Sequence, residues 1–400
     1  MRRAGWAIVV LIVLAVVFVV VQVVRSVPGQ AAEPSGPRTV AVPGSADLPW
    51  PATGAAAVAV GGGAVRTSGS ASPAPIASLA KMMTAYVILR DHPIPTGQTG
   101  PSITITSADV AAYQAEAAAS DSVLAVTTGE TLTEQQALEA LLVASADNVA
   151  DILAQWDAGS VTAFVAKMNT TARQLGMGHT HYTDPSGLEP TTVSTPADQL
   201  TIGRKAMANS VFAGIVAMPA ATFPVAGTVQ NYDYDVGHDG IVGIKTGSDT
   251  AAGGCWAFAA TRTVVGTKQL VYGVVMGIPA TATGLVEPAL AAGQALADAL
   301  PSTVSTMTVV PAGQVVGHVT APWRGEPVPL VTARAVQGMV DNGSTVALHV
   351  HLVQPAGRTV AKGQHLGTLT AEGVDGTTTT AVIAGAGGPG PTMGWRLTRL

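Results

Sequence analysis

From Trp6 to Val24 the chain carries one polar side chain, Gln22, in an otherwise unbroken apolar run. As a helix that run would span about 28 Å at ~1.5 Å per residue, close to the hydrocarbon thickness of a bilayer. Arg2 and Arg3 precede it, so the positive-inside rule leaves the N-terminus in the cytoplasm and everything after Arg25 outside. The run is longer than the ~7 to 15 residues of a cleaved signal, which favours an uncleaved anchor over 1–26; cutting at the small residues of "PGQAAEP" would instead release the chain. Residues 27–47, rich in Pro, Gly and Ala, read as a linker.

Beyond the linker the periodicity changes repeatedly. "AAAVAVGGGAVRTS" is an apolar run, a glycine turn and a second run, the pattern of a hairpin that opens a sheet. Helical spacing follows in Ile76 to Leu89, in Glu134 to Leu153 with a break near Ser145, and in Val161 to Leu175, while "TKQLVYGVVMGI" reads as a buried strand. The mixture predicts an α/β (α+β) domain over 48–300, closed by the helix "LAAGQALADALPS" that Pro301 stops. From Thr303 onward valine, threonine and glycine prevail without helical spacing, so 301–400 is expected to be an all-β domain.

Composition narrows the partners. Of 400 residues 48% are hydrophobic, enough for a sizeable core, and only 4% are aromatic, so that core must be built of Ala, Val, Leu and Ile. A net charge of -5 gives no reason to expect nucleic acid. One cysteine, Cys255, excludes an internal disulfide and a cysteine-built zinc site. His179 with His181, and His349 with His351, are paired at i, i+2 but bring no third ligand, so they read as strand histidines and no metal or cofactor is expected.

The chemistry begins with "PIASLAKMMTAYVILR", which places Lys81 inside an apolar helical stretch, three residues after Ser78. On a helix the two share a face, and desolvation lowers a lysine's pKa, making Lys81 able to take the serine proton. A serine in the first turn also lies where free N–H groups can stabilise an oxyanion. "ALLVASADNVADILA" places Ser145 at a helix break, and "DGIVGIKTGSDTAAGGCWAFAA" places Lys245, Thr246 and Gly247 at the end of an apolar strand. Taken singly, these fit a snorkelling lysine, a helix cap and a strand-end charge. Together S-x-x-K, a second serine element and K-T-G form the motif set of penicillin-binding proteins and serine β-lactamases.

The resemblance extends further. "LPWP", "TGETLTEQQALEALLVASADN", "MNTTARQLGMGHTHYTDPSGLEP", "STPADQLTIG" and "GIKTGSDTAAGGC" are similar, in order and spacing, to the D-alanyl-D-alanine carboxypeptidases, low-molecular-mass penicillin-binding proteins of the S11 serine peptidase family. The resemblance covers roughly Leu48 to Leu300. It implies a membrane-tethered enzyme with a penicillin-binding-protein-like catalytic domain followed by an all-β domain, removing the terminal D-alanine from peptidoglycan stem peptides and blocked covalently by β-lactams. It assigns Ser78 as nucleophile, Lys81 as base and Ser145 as proton relay that also holds Lys81. Lys245 and Thr246 would bind the substrate carboxylate beside Gly247, with the N–H groups of Ser78 and Ser248 as oxyanion hole.

One position departs from the family. Its second motif is S-x-N, and this chain has Asp147 in the third place and Asn148 one later. An ionised aspartate accepts hydrogen bonds but cannot donate one to a substrate carbonyl. Retained activity is the expectation, either with Asn148 shifted into place or with a site tuned to the acid. The alternatives are a weakened cell-wall peptide binder and, requiring a deacylating carboxylate not evident between Ser145 and Lys245, a β-lactamase.

Overall fold

The computed structural model describes residues 2–399, which divide into a catalytic-type unit, Ala46–Val304, and a second unit made of Met1–Ser45 with Ser305–Leu400. The sequence reading put these boundaries at 47/48 and 300/301.

In the first unit an antiparallel sheet runs in the order Ile241–Asp249, Gly253–Val264, Thr267–Ile278, Ala55–Val60, Arg66–Ser68. The last two strands are the hairpin expected from "AAAVAVGGGAVRTS", paired with Ala57 opposite Thr67. Successive strand residues face opposite sides, and both sides are covered. Trp256 and Phe258 meet helix Val286–Ala299, where Gly293 is required because a Cβ would lie 2.4 Å from the Trp256 ring. Cys255, Ala257 and Ala259 instead join the large core formed with the helices. Small residues there let the helices sit close to the sheet, as the scarcity of aromatics demanded.

At the centre of the helical layer lies Lys81–Asp91, buried along almost its whole length and apolar on every face but one, as befits a helix with no solvent side. Around it stand Glu134–Leu142, Asp147–Ala158, Val161–Gln174 and Pro196–Met207. The break expected near Ser145 separates the first two of these helices. Thr133 and Gln136 start the first with a reciprocal cap, and Gly159 ends the second in a left-handed conformation. The helices Ser107–Ala119 and Ser210–Val216 had no distinct signal, since the first buries no residue fully and the second is two turns long.

In the second unit a seven-stranded sheet runs Ala31–Pro34, Val315–Thr320, Val328–Thr332, Gly376–Ala384, His365–Gly373, Thr345–Leu352, Thr39–Ala41. Both edge strands come from 27–47, which is therefore not a free linker. Composition hid this, because an edge strand tolerates Pro and polar residues that a central strand rejects. A second correction concerns the C-terminus, where Met393–Thr398 is helical and Arg396 and Arg399 donate to Val23 O and Gln22 O at the end of the N-terminal helix. That helix, Arg2–Val24, includes Gly5–Val24 with mean hydropathy 3.4, long and apolar enough to cross a membrane. His349 and His351 are exposed on Thr345–Leu352.

Candidate active site

Ser78 sits in a single 3-10 turn, Ala77–Ala80, and Lys81 is the first residue of the α-helix that follows. The turn enters through Ala77 at φ 46°, a left-handed conformation that costs an alanine about 1–2 kcal/mol and marks a constrained backbone. Lys81 is completely buried, and its ammonium donates to Ser78 Oγ at 2.8 Å, to Asp147 Oδ1 at 2.6 Å and to the carbonyl of Ser186 at 3.1 Å. All three donors are used. This answers how an apolar helix tolerates the charge, since a buried ammonium is stable only when paired and fully hydrogen-bonded.

Ser145 and Asp147 come from the corner between two helices. Ser145 has φ 55° and is nearly buried, while Asp147 opens the next helix with its N–H on Ser122 O at 2.7 Å. None of the Lys81 donors reaches Ser145; Asp147 is what ties the corner to the lysine. Asn148 points away, with both amide atoms on the backbone of Leu124, each at 3.0 Å. The idea that Asn148 shifts into the motif is thus overturned, because its side chain already holds the loop beside the helix.

The third segment arrives on strand Ile241–Asp249. Lys245 pairs in register with Ala257 and Gly247 with Cys255, both facing the helical core. Gly247 lies directly against the serine turn, where a Cβ would be 3.0 Å from Ser78 N and 3.2 Å from Ile76 O. Thr246 is nearly buried, and Ser248, next along the strand, is exposed. Lys245 donates to Thr246 O at 2.9 Å; burial, helped by the charge of Lys81, pushes its pKa down to about 7. Lys245, read from the sequence as a strand-end charge, is thus almost as deeply buried as Lys81.

Two features escaped the sequence reading. The first is the turn "DPSG", where Ser186 supplies the third acceptor for Lys81. Asp184 builds that turn by accepting from Ser186 N, Ser186 Oγ, Gly187 N, Leu188 N and the Thr192 hydroxyl. Gly187, at φ 85°, packs on Ala77 O, and the Asp-Pro-Ser-Gly signature was the available clue. The second feature is a set of acids behind Asp147. Burial, with repulsion from Asp151 and Asp147, lifts Glu116 to about 7, and burial with Asp184 and Asp147 lifts Asp151 to about 6.

A sequence profile of the S11 peptidases, described as D-alanyl-D-alanine carboxypeptidase, matches residues 52–280. The chain belongs to the S11 family. Among S11 relatives, D-alanyl-D-alanine carboxypeptidase DacB2 of Mycobacterium tuberculosis is 39% identical over 178 residues, which cover 43% of this chain and 58% of that one. This chain thus spans less than two thirds of that relative's length. The crystal structure of a D-alanyl-D-alanine carboxypeptidase from M. tuberculosis H37Rv is similar at TM-score 0.54 and 32% identity, over 65% of this chain and 95% of that one. Penicillin-binding protein 5 of Haemophilus influenzae, at 20% identity, shares the fold over 86% of this chain and all of its own, with TM-score 0.62.

Proposed function

We propose that this S11 chain is a serine D-Ala-D-Ala carboxypeptidase that trims the terminal D-alanine from peptidoglycan stem peptides. The observation that carries the reading is the Ser78 hydroxyl 2.8 Å from the Lys81 amine, with Gly247 packed on the Ser78 amide. Ser78 attacks the carbonyl carbon of the penultimate D-alanine while Lys81, when free of its extra proton, takes the hydroxyl proton. Lys81 returns that proton to the departing amine; the Ser145 relay expected from the family has no hydrogen bond to Lys81 in this geometry. Lys245 and Thr246 hold the C-terminal carboxylate, and the Ser78 and Ser248 amides receive the oxyanion. Water then releases the acyl group, and a β-lactam enters the same path as a covalent inhibitor. The apolar N-terminal helix anchors the chain once through the bacterial membrane, with the arginines Arg2 and Arg3 inside and the catalytic unit outside.

The test uses the full chain in detergent with a peptide ending in D-Ala-D-Ala. D-alanine is released, benzylpenicillin adds one covalent adduct, and Ser78→Ala abolishes both. Release that persists in Ser78→Ala would refute the assignment.

A further inference from the structure

Asp147 forms an ion pair with Lys81; an asparagine could accept the same hydrogen bond but would bring no charge to it. Its Oδ1 accepts from the ammonium at 2.6 Å, and the same ammonium is 2.8 Å from Ser78 Oγ. Two such bonds meeting at a tetrahedral nitrogen hold carboxylate and serine oxygen roughly 4–5 Å apart, the separation one bridging water spans. The second oxygen, Oδ2, has no protein partner among the described residues and is not sealed from solvent. An amide oxygen at this place has almost no affinity for a proton, whereas a carboxylate accepts one from water. Two neighbouring acceptors are already engaged, Asn148 by Leu124 and Asp184 by its own turn, and Asp147 is the carboxylate that touches the Lys81 ammonium directly.

We propose that Asp147 is the base that hydrolyses the acyl-Ser78 enzyme, so that a β-lactam inhibits this site covalently but only for the lifetime of an adduct that Asp147 shortens. The inference rests on the acyl-enzyme reading given above. Water adds to the ester carbonyl carbon and gives its proton to Asp147 Oδ2. The tetrahedral intermediate then breaks the bond to Ser78 Oγ, which takes a proton from Lys81, and Lys81 recovers one from Asp147 across their ion pair. Acid and free serine are the products, and Lys81 and Asp147 end in the protonation states in which they began. The same contact has an opposite effect on acylation, because an ammonium with three acceptors offers no lone pair to the Ser78 proton. Asp147 therefore exchanges speed in the first step for speed in the second.

The experiment labels the full chain in detergent with a fluorescent penicillin, removes the excess and follows the lifetime of the adduct, with intact mass to detect released penicilloic acid. The wild-type adduct decays within minutes, and in Asp147→Asn it persists at least roughly 100-fold longer, the contribution of a general base. Acylation of Asp147→Asn is faster than that of wild type, and Asp147→Glu keeps part of the turnover. An Asp147→Asn adduct that decays as quickly as wild type overturns the proposal. So does a wild-type adduct stable for hours, a result independent of whether the variant folds. No adduct on wild type would instead overturn Ser78 as nucleophile.

Discussion

Gly247→Ala tests whether the K-T-G strand and the serine turn form one oxyanion hole. The added Cβ would stand 3.0 Å from Ser78 N, 3.2 Å from Ile76 O and 3.3 Å from Ala77 Cβ. Non-bonded heavy atoms settle near ~3.5 Å or beyond, so strand and turn must part by about half an ångström. Neither side yields easily: the strand is paired along Gly253–Val264, and Ala77 is already held at φ 46°. A donor half an ångström farther away passes the ~3.2 Å limit of an effective N–H···O bond, and losing one oxyanion donor costs about 10²–10³ in rate. Crowding of this kind also destabilises by about 1–3 kcal/mol. The assay is the rate of acylation by a fluorescent penicillin in stopped flow, beside urea unfolding of the same protein. A variant that folds and acylates within threefold of wild type would refute the shared hole.

Two further outcomes follow from the electrostatics and the turn. Because Lys245 is held down to about 7, its cation is lost as pH rises through that value, and kcat/KM for a peptide ending in a free carboxylate falls relative to its C-terminal amide between about pH 6 and 8; a constant ratio would contradict the assignment. Asp184→Asn removes the charge that gathers three backbone N–H groups and two hydroxyls. It is expected to cost about 1.5–3 kcal/mol in urea unfolding and to slow acylation by displacing Ser186 O from Lys81, whereas unchanged stability would remove Asp184 from that role.

Local order was readable wherever it has a period or a punctuation mark. Alternation and glycine placed the Ala55–Val60 hairpin, and 3.6-residue spacing placed the central helix, because these depend on neighbours within one or two turns. The strands Ala31–Pro34 and Thr39–Ala41 were missed since partners 283 and more residues away, Val319 and Val346 among them, make them strands.

The order of the serine, lysine and K-T-G motifs was enough to name the chemistry, since those residue types at those spacings have few other uses together. That both lysines would be stripped of water, and which acid would face Lys81, was decided only by folding. Lys81 found three acceptors from segments up to 105 residues distant, Lys245 found none beyond its own neighbour's carbonyl, and Asn148 was spent on Leu124. Burial and charge at a point are sums over everything that the tertiary fold brings near it, and a linear sequence does not carry those distances.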